Sequence, residues 1–310
     1  MDSFVGKLAV VTGGGTGMGR ELVIQLAADG CSVATCDVNV DNMSETAVRA
    51  EKEAPPGVLV TTHLADVSNE TQMHGFRDEV AERHGTDHID LLFNNAGVGG
   101  GNSFLTGSRD AWDKTFAVDW GGVYNSMRAF AGMVVASDDA YVVNTSSVNG
   151  FWAALGPGIP HTAYSAAKFA VKGFTEALIE DFRVNAPHVK VAVVMPGHVG
   201  TDIVLNSRAL LGVDLAEARE QMTRRGLPTD GLSDEDIQNM MRMFGEMFRD
   251  NAPVTAEQAA TIILDGVRAG KWRILVGDDA HAIDRAVRSD PENVYGEDGL
   301  SLGTITGQEP

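Results

Sequence analysis

The sequence predicts an α/β fold: a doubly wound, seven-stranded parallel sheet with helices on both faces, plus a helical hairpin near the C-terminal end. Three observations predict it. Seven apolar runs of strand length, at residues 8–11, 32–37, 59–64, 91–94, 141–145, 189–195 and 273–276, are separated by stretches long enough for helices. Strands that alternate with helices pair in parallel, because each return to the same end of a sheet needs a crossover. The first run leads through a glycine-rich turn straight into a helical pattern. No repeat period occurs, and no linker composition precedes Gly200.

Taken in order, the first run is Leu8-Ala9-Val10-Val11. Thr12-Gly13-Gly14-Gly15-Thr16-Gly17-Met18-Gly19-Arg20 follows, and a helical pattern resumes at Leu22. Such a turn leaves backbone N–H groups unpaired and aims a helix N-terminus at what lies above it, which suits a pyrophosphate. The alternative is a glycine loop with no ligand. The second run ends in Cys36-Asp37. A carboxylate there accepts from adenosine ribose hydroxyls and repels a 2′-phosphate; Val38, Asn39 and Val40 follow with no Arg or Lys, which favours NAD over NADP. The alternative for Asp37 is a helix cap or surface acid. The third run closes with Asp66-Val67 and the fourth with Asn94-Asn95-Ala96-Gly97. Paired Asn residues can tie strands together, and Ala and Gly admit a cofactor to the backbone. Either string also serves as plain strand-end structure.

The fifth run ends in Asn144-Thr145-Ser146-Ser147-Val148-Asn149-Gly150, and Tyr164-Ser165-Ala166-Ala167-Lys168 lies downstream. On a helix Tyr164 and Lys168 share one face, one turn apart. A cationic amine beside a phenol lowers the phenol's pKa, so that it exchanges a proton with an alcohol or ketone near neutral pH. A neighbouring serine hydroxyl can hold the substrate oxygen. In isolation such a pair is usually just a helix surface.

Residues 202–253 carry two helical stripes. Leu211, Leu215, Ala218 and Met222 form the first, and Ile237, Met240, Met241, Phe244, Met247 and Phe248 the second. Asp214 with Glu217 and Ser233 with Asp236 mark their starts, and Gly226, Pro228 and Gly231 the turn between them. The Met-rich face suits a bulky apolar substrate under a lid, or packing on the core or a neighbouring subunit. Thr255 with Gln258 reads as a capping box for a helix ending at Gly270, and one more helix is expected from Asp278 to Arg288. The polar segment 291–310 is a loose tail or an arm docked on a partner subunit.

The formal charge of −19 and the lack of Lys/Arg clusters argue against nucleic-acid and anionic-membrane partners. Cys31 and Cys36 read as buried reduced thiols. With no signal-like start and no apolar run long enough to span a bilayer, a cytoplasmic protein is expected.

The ordered strings TGGGTGMG, Asp37, Asp66-Val67, NNAG, NTSS, YSAAK and Met195-Pro196-Gly197-His198-Val199-Gly200-Thr201 closely resemble the short-chain dehydrogenase/reductase family, over residues 5–202 and again over 254–277. The resemblance implies one Rossmann-fold domain across 1–310: a core at 5–201 and 254–277, a helical substrate lid at 202–253 and a C-terminal extension at 278–310. It implies hydride transfer at nicotinamide C4, with Tyr164 as general acid/base, Lys168 binding the nicotinamide ribose, and Ser147, not Ser146, orienting the substrate. Gly13, Thr16, Gly17, Met18 and Gly19 would line the pyrophosphate, Asp37 and Val38 the adenosine ribose, and Asp66 and Val67 the adenine. Asn94, Asn95, Ala96 and Gly97 would run along the cofactor, and Pro196, Gly197, Val199 and Thr201 would meet its nicotinamide end. The family uses no metal and commonly forms dimers and tetramers through the helices after Asp110 and Tyr164; a tetramer is expected.

Two departures from the family pattern matter. Asp119, in Val118-Asp119-Trp120-Gly121-Gly122, replaces the usual fourth catalytic residue, an Asn whose main-chain carbonyl holds a relay water. The relay tolerates Asp, whose carboxylate could also pair with a neighbour or alter the pH profile. The segment from Ser147 to Tyr164 is longer than usual around 154–161, so a loop should overhang the nicotinamide. Asn149, Trp152, Leu155, His161, His198, Met240 and Phe244 are the candidate substrate contacts; a solvent-facing loop histidine is the alternative for His161.

The expected function is NAD-dependent interconversion of a secondary alcohol and a ketone on a small hydrophobic or aromatic substrate. Epimerase or dehydratase chemistry fits less well, because those relatives carry altered glycine motifs. A nucleotide-binding sensor or scaffold is the non-enzyme alternative, against which the intact Ser147, Tyr164 and Lys168 argue.

Overall fold

In the computed structural model, residues 1–100, 103–156, 159–212, 215–224, 227–296 and 299–301 are described. The expected helix start at Asp214, the turn residue Gly226 and the tail beyond 301 lie outside them, as does the Glu217 side chain. Seven parallel strands form one sheet: β1 (Leu8–Thr12), β2 (Ser32–Asp37), β3 (Val60–Leu64), β4 (Leu91–Asn94), β5 (Ala140–Thr145), β6 (Val189–Pro196) and, after a short pair described below, β9 (Arg273–Val276). Their order is β3-β2-β1-β4-β5-β6-β9. The order reverses between β1 and β4, which opens a crevice at the carboxyl ends of those two strands, where this architecture binds ligands.

Both faces of the sheet are covered, which is why its strands read as apolar runs. Ala9 and Val11 face a cluster with Leu22 and Leu26 of α1 (Gly17–Ala28), Ala50 of α2 (Val40–Glu53) and Ile263 of α10 (Ala256–Arg268). Leu8 and Val10 face the other way, towards Met73 and Phe76 of α3 (Glu70–His84), Phe130 of α5 (Gly122–Val135) and Leu178 of α6 (Thr162–Asn185). The capping box of α10 forms as predicted, Thr255 Oγ1 accepting from Gln258 N and Gln258 Oε1 from Thr255 N.

The insert after β6 differs from its sequence reading in two ways. It opens with an unpredicted helix, α7 (Ile203–Leu211), before α8 (Leu215–Arg224) and α9 (Asp234–Asp250). Its two ends are stitched by β7 (Val199–Gly200) and β8 (Val254–Thr255), which pair in parallel. The predicted hairpin forms without Leu211, which ends α7 instead: Ile237, Met240 and Met241 of α9 pack on Ala218 and Met222 of α8. The Ser233–Asp236 capping box starts α9. Met243, Phe244 and Met247 stay exposed on its far side. The final helix, α11 (Asp278–Ser289), packs Ala280 and Ile283 against Val148 and Trp152. None of the described helices is long and apolar enough to cross a membrane.

Candidate active site

The glycine turn leaves β1 at the crevice. Gly13 has φ +71°, and a Cβ on it would come 2.8 Å from Ala96 Cα, so the turn after β1 and the end of β4 touch through it. Thr16 caps α1 without a side-chain hydrogen bond, leaving first-turn N–H groups for an anion. Asp37 accepts from Gly15 N at 3.0 Å and Asn39 N at 3.0 Å, and its remaining lone pairs can receive hydroxyls. Val38 is exposed on the rim beside it. Asp66 takes the Ser68 hydroxyl at 2.7 Å, while Val67 is buried and its carbonyl accepts from Asn125. Gly19 packs against the Gly13 backbone, and Met18 lies partly buried beside the core.

The NNAG string splits its duties. Asn94 is buried and donates to Asn144 Oδ1 at 2.7 Å, tying β4 to β5. Asn95 N and Ala96 N share Thr12 Oγ1, which ties β4 to β1. A Cβ on Gly97 would lie 2.6 Å from Asp119 Oδ1, so glycine lets the backbone run directly over that carboxylate. On the far side, a Cβ on Gly17 would lie 3.1 Å from Thr201 Cγ2, and Asn206 of α7 donates to Thr16 Oγ1 at 3.1 Å. Ser207 of α7 accepts from Gly99 N at 2.7 Å. The unpredicted helix therefore bridges the glycine turn and the loop after β4. Pro196 and Val199 are buried, and Gly197 N donates to Val276 O. This cleft, with its unpaired helix terminus, strand-end carboxylate and Cβ-free backbone, fits a nicotinamide dinucleotide.

Four side chains converge at the carboxyl end of β5. Ser147 caps a short 3₁₀ turn and accepts from Asn149 N at 3.1 Å. Ser146 instead donates to Lys168 O at 2.7 Å, so the two serines have different partners. Lys168 Nζ lies 5.3 Å from the centre of the Tyr164 ring and donates to Thr145 O at 3.2 Å. Its principal partner is Asp119 Oδ1, at 3.1 Å, with both side chains buried. Asp119 sits in a π-helical turn, Ala117–Gly121, between α4 (Arg109–Phe116) and α5. Such turns re-aim side chains at functional sites. Its Oδ1 also accepts from Val98 N, whereas its buried Oδ2 has no partner among the described residues.

This ion pair is the neighbour pairing that the Asp119 carboxylate allowed, and it acts on the titration of all three groups. Burial pushes the Tyr164 pKa above its usual value; the Lys168 charge opposes that, and Asp119 offsets Lys168. Burial also works against the Lys168 charge, but Asp119 and Tyr164 hold its pKa above the usual lysine value. Burial raises the Asp119 carboxyl, against the pull of Lys168.

The candidate substrate residues part company. His161 stacks on Tyr164 with ring centres 4.7 Å apart, and burial lowers its pKa to about 4, so the ring is neutral. Trp152 is fully buried against α11 and offers no surface to a ligand, which corrects its expected place in the pocket wall. Asn149 donates to Trp152 O and Ala154 O, pinning the loop from beneath, and Leu155 is partly buried in it. His198 stacks on Phe248 and pairs with its carbonyl, anchoring the end of α9. Met240 packs on α8, and Phe244 is exposed. Sequence reading missed Asn206, Ser207 and Tyr295, the last of which accepts from Ala153 N at 2.9 Å.

Comparison with known proteins gives the class. The short chain dehydrogenase family model matches residues 7–210. The chain belongs to that family of oxidoreductases. It is 34% identical to SadH of Mycobacterium tuberculosis strain H37Rv, a candidate oxidoreductase, over 93% of this chain and 92% of that one. It is 32% identical to levodione reductase of Leifsonia aquatica, over 66% of this chain and 73% of the relative. A Burkholderia phymatum short-chain dehydrogenase/reductase, solved in complex with NAD, superposes with a TM-score of 0.78 at 29% identity, covering 97% of this chain and 100% of that one.

Proposed function

We propose that the chain is an NAD-dependent oxidoreductase that interconverts a secondary alcohol and a ketone on a small hydrophobic or aromatic molecule. The observation that carries this is the convergence of Ser147, Tyr164, Lys168 and Asp119 at the sheet's carboxyl edge, beside the glycine turn. A bound nicotinamide dinucleotide supplies the hydride donor or acceptor. Ser147 and Tyr164 hold the substrate oxygen between two hydroxyls. In reduction Tyr164 gives its proton to the developing alkoxide; in oxidation it takes the alcohol's proton. Lys168 stabilises the phenolate that reduction leaves, and Asp119 holds Lys168 in place. Asp37 supports NAD over NADP, because a 2′-phosphate would sit against its carboxylate. The NAD complex of the Burkholderia relative supports the same reading.

The test is NADH consumption across a panel of hydrophobic ketones, repeated with NADPH and with Tyr164→Phe. The reading expects turnover with NADH that Tyr164→Phe abolishes while sparing cofactor binding. Normal NADH binding with no turnover on a broad panel would replace the enzyme with a nucleotide sensor. The reading also carries a homotetramer in the cytoplasm. Exposed Tyr124 on α5 and Phe169 on α6 support burial of those helices between subunits, which light scattering checks.

A further inference from the structure

Beside His161, the ring neighbour of Tyr164, lies a cavity of about 380 Å³, within the size range of small-molecule sites. Ala154, Ile159 and Pro160, from the loop between Ser147 and Tyr164, form one wall. The opposite wall is Val294, Tyr295 and Leu300, from the segment after α11. We propose that this C-terminal arm is a wall of the substrate pocket, and that the cavity takes the apolar arm of a hydrophobic ketone or alcohol. The proposal rests on the reading above, with Tyr164 as the reacting end.

Three observations carry it. First, the described residues of the arm are tied to the body of the protein. Tyr295 Oη accepts from Ala153 N at 2.9 Å, Val294 is buried beside Trp152 and Ile283, and Leu300 packs on the same cluster. The arm also folds back on itself, Leu300 N donating to Val294 O at 3.3 Å and Gly299 N to Gly296 O at 2.9 Å. Second, the cavity adjoins the chemistry. His161 lines it and stacks on Tyr164, so one uncharged imidazole separates the apolar space from the phenol. Third, none of the described lining residues is Asp, Glu, Lys or Arg. A carboxylate or phosphate group would find no countercharge there, whereas an alkyl or aryl group would be desolvated by Ile159, Pro160, Val294 and Leu300. The buried Trp152 gains a purpose in this arrangement: it is the anvil on which the arm is seated.

Tyr295 and Leu300 pack on Ala153 and the Trp152 cluster, not on the glycine turn, so altering them leaves the glycine turn in place. The experiment uses a series of methyl ketones of increasing alkyl length, with NADH, on the full chain and on Leu300→Trp and Tyr295→Phe. Binding to the NADH complex is followed by tryptophan fluorescence alongside turnover, and NADH affinity serves as the control for folding. In the unaltered protein, kcat/KM and affinity should climb with alkyl length. Leu300→Trp, which fills the cavity, should cut the long members by roughly tenfold or more, since each methylene in an apolar pocket is worth that order of discrimination. Short members should fall far less. Tyr295→Phe loosens the arm and should raise KM for long ketones with little change in kcat. Long ketones handled by both variants as well as by the unaltered protein would overturn the proposal. If the unaltered protein turns over no ketone, the catalytic reading fails. The fluorescence series then decides the pocket alone: ligand binding lost in Leu300→Trp upholds it, and binding unchanged overturns it.

Discussion

Replacing Asp119 by Asn isolates the feature that sets this site apart. The carboxylate lies 3.1 Å from Lys168 Nζ, and both groups are buried. At an effective dielectric of about 20 that pair attracts by about 5 kcal/mol. Asp119 also acts on Tyr164 across Lys168. The two legs are 3.1 Å and 5.3 Å, so the carboxylate is no more than about 8 Å from the ring, and its repulsion of a phenolate is about 2 kcal/mol at the same dielectric. Asn keeps the shape and a carbonyl oxygen for Val98 N but removes the charge. Lys168 then acts on Tyr164 unopposed, and its phenolate forms at lower pH. The assay is kcat/KM for alcohol oxidation with NAD as a function of pH. Its acid-side limb should move towards lower pH, and oxidation at neutral pH should rise roughly tenfold or more, the equivalent of 1.4 kcal/mol or above. The cost falls on stability. Lys168 becomes a buried cation without a counter-ion, worth about 3 kcal/mol, the low end of the range for broken buried pairs because the amide oxygen still accepts. A pH profile that coincides with that of the unaltered protein would refute the reasoning and reduce Asp119 to a backbone role.

Three further outcomes are expected. Trp152→Ala should destabilise the chain by about 3–5 kcal/mol, as for other buried Trp truncations, and leave NADH affinity intact; thermal unfolding and a cofactor titration check it. The chain should lose stability on acidification. His63, bonded to Thr61 and Glu79, and His84, bonded to Thr61, are both held below the ordinary value, chiefly by burial, His84 at about 4. The unfolded chain therefore takes up these protons first. Stability is fully present above about pH 6.5 and is lost as pH falls towards 4, and replacing both histidines by Gln should flatten that part of the unfolding curve. Asp37→Ser should narrow the preference for NADH over NADPH by tenfold or more, roughly the effect of removing one charge from beside the phosphate; the ratio of the two kcat/KM values measures it.

How much of this was readable beforehand follows from how local each signal is. The seven sheet strands were legible because parallel strands buried on both faces are continuous apolar runs, and the capping boxes because their partners are three residues apart. β7 and β8 were not, since two-residue strands exist only through the pairing of Val199 with Val254. The helix α7 carried no start signal: Asp202 caps it without a side-chain bond. Ser147, Tyr164 and Lys168 were legible as a motif, and the structure sets Lys168 Nζ 5.3 Å from the centre of the Tyr164 ring. The ion pair was legible only as an open option for Asp119, because a π-helical turn decides which neighbour its carboxylate meets. Trp152 was misplaced for a similar reason. An aromatic residue in a loop near catalytic groups reads as pocket wall, and only the distant α11 shows that it is core.

The central claim is that a nicotinamide-borne hydride passes to a substrate carbon under the control of Tyr164. The most direct measurement uses NADH deuterated at C4, a hydrophobic methyl ketone, and mass analysis of the alcohol formed. The account predicts deuterium on the carbinol carbon with the unaltered protein, and none with Tyr164→Phe although that variant binds the cofactor normally. Product without deuterium, or Tyr164→Phe transferring it at the unaltered rate, would contradict the account.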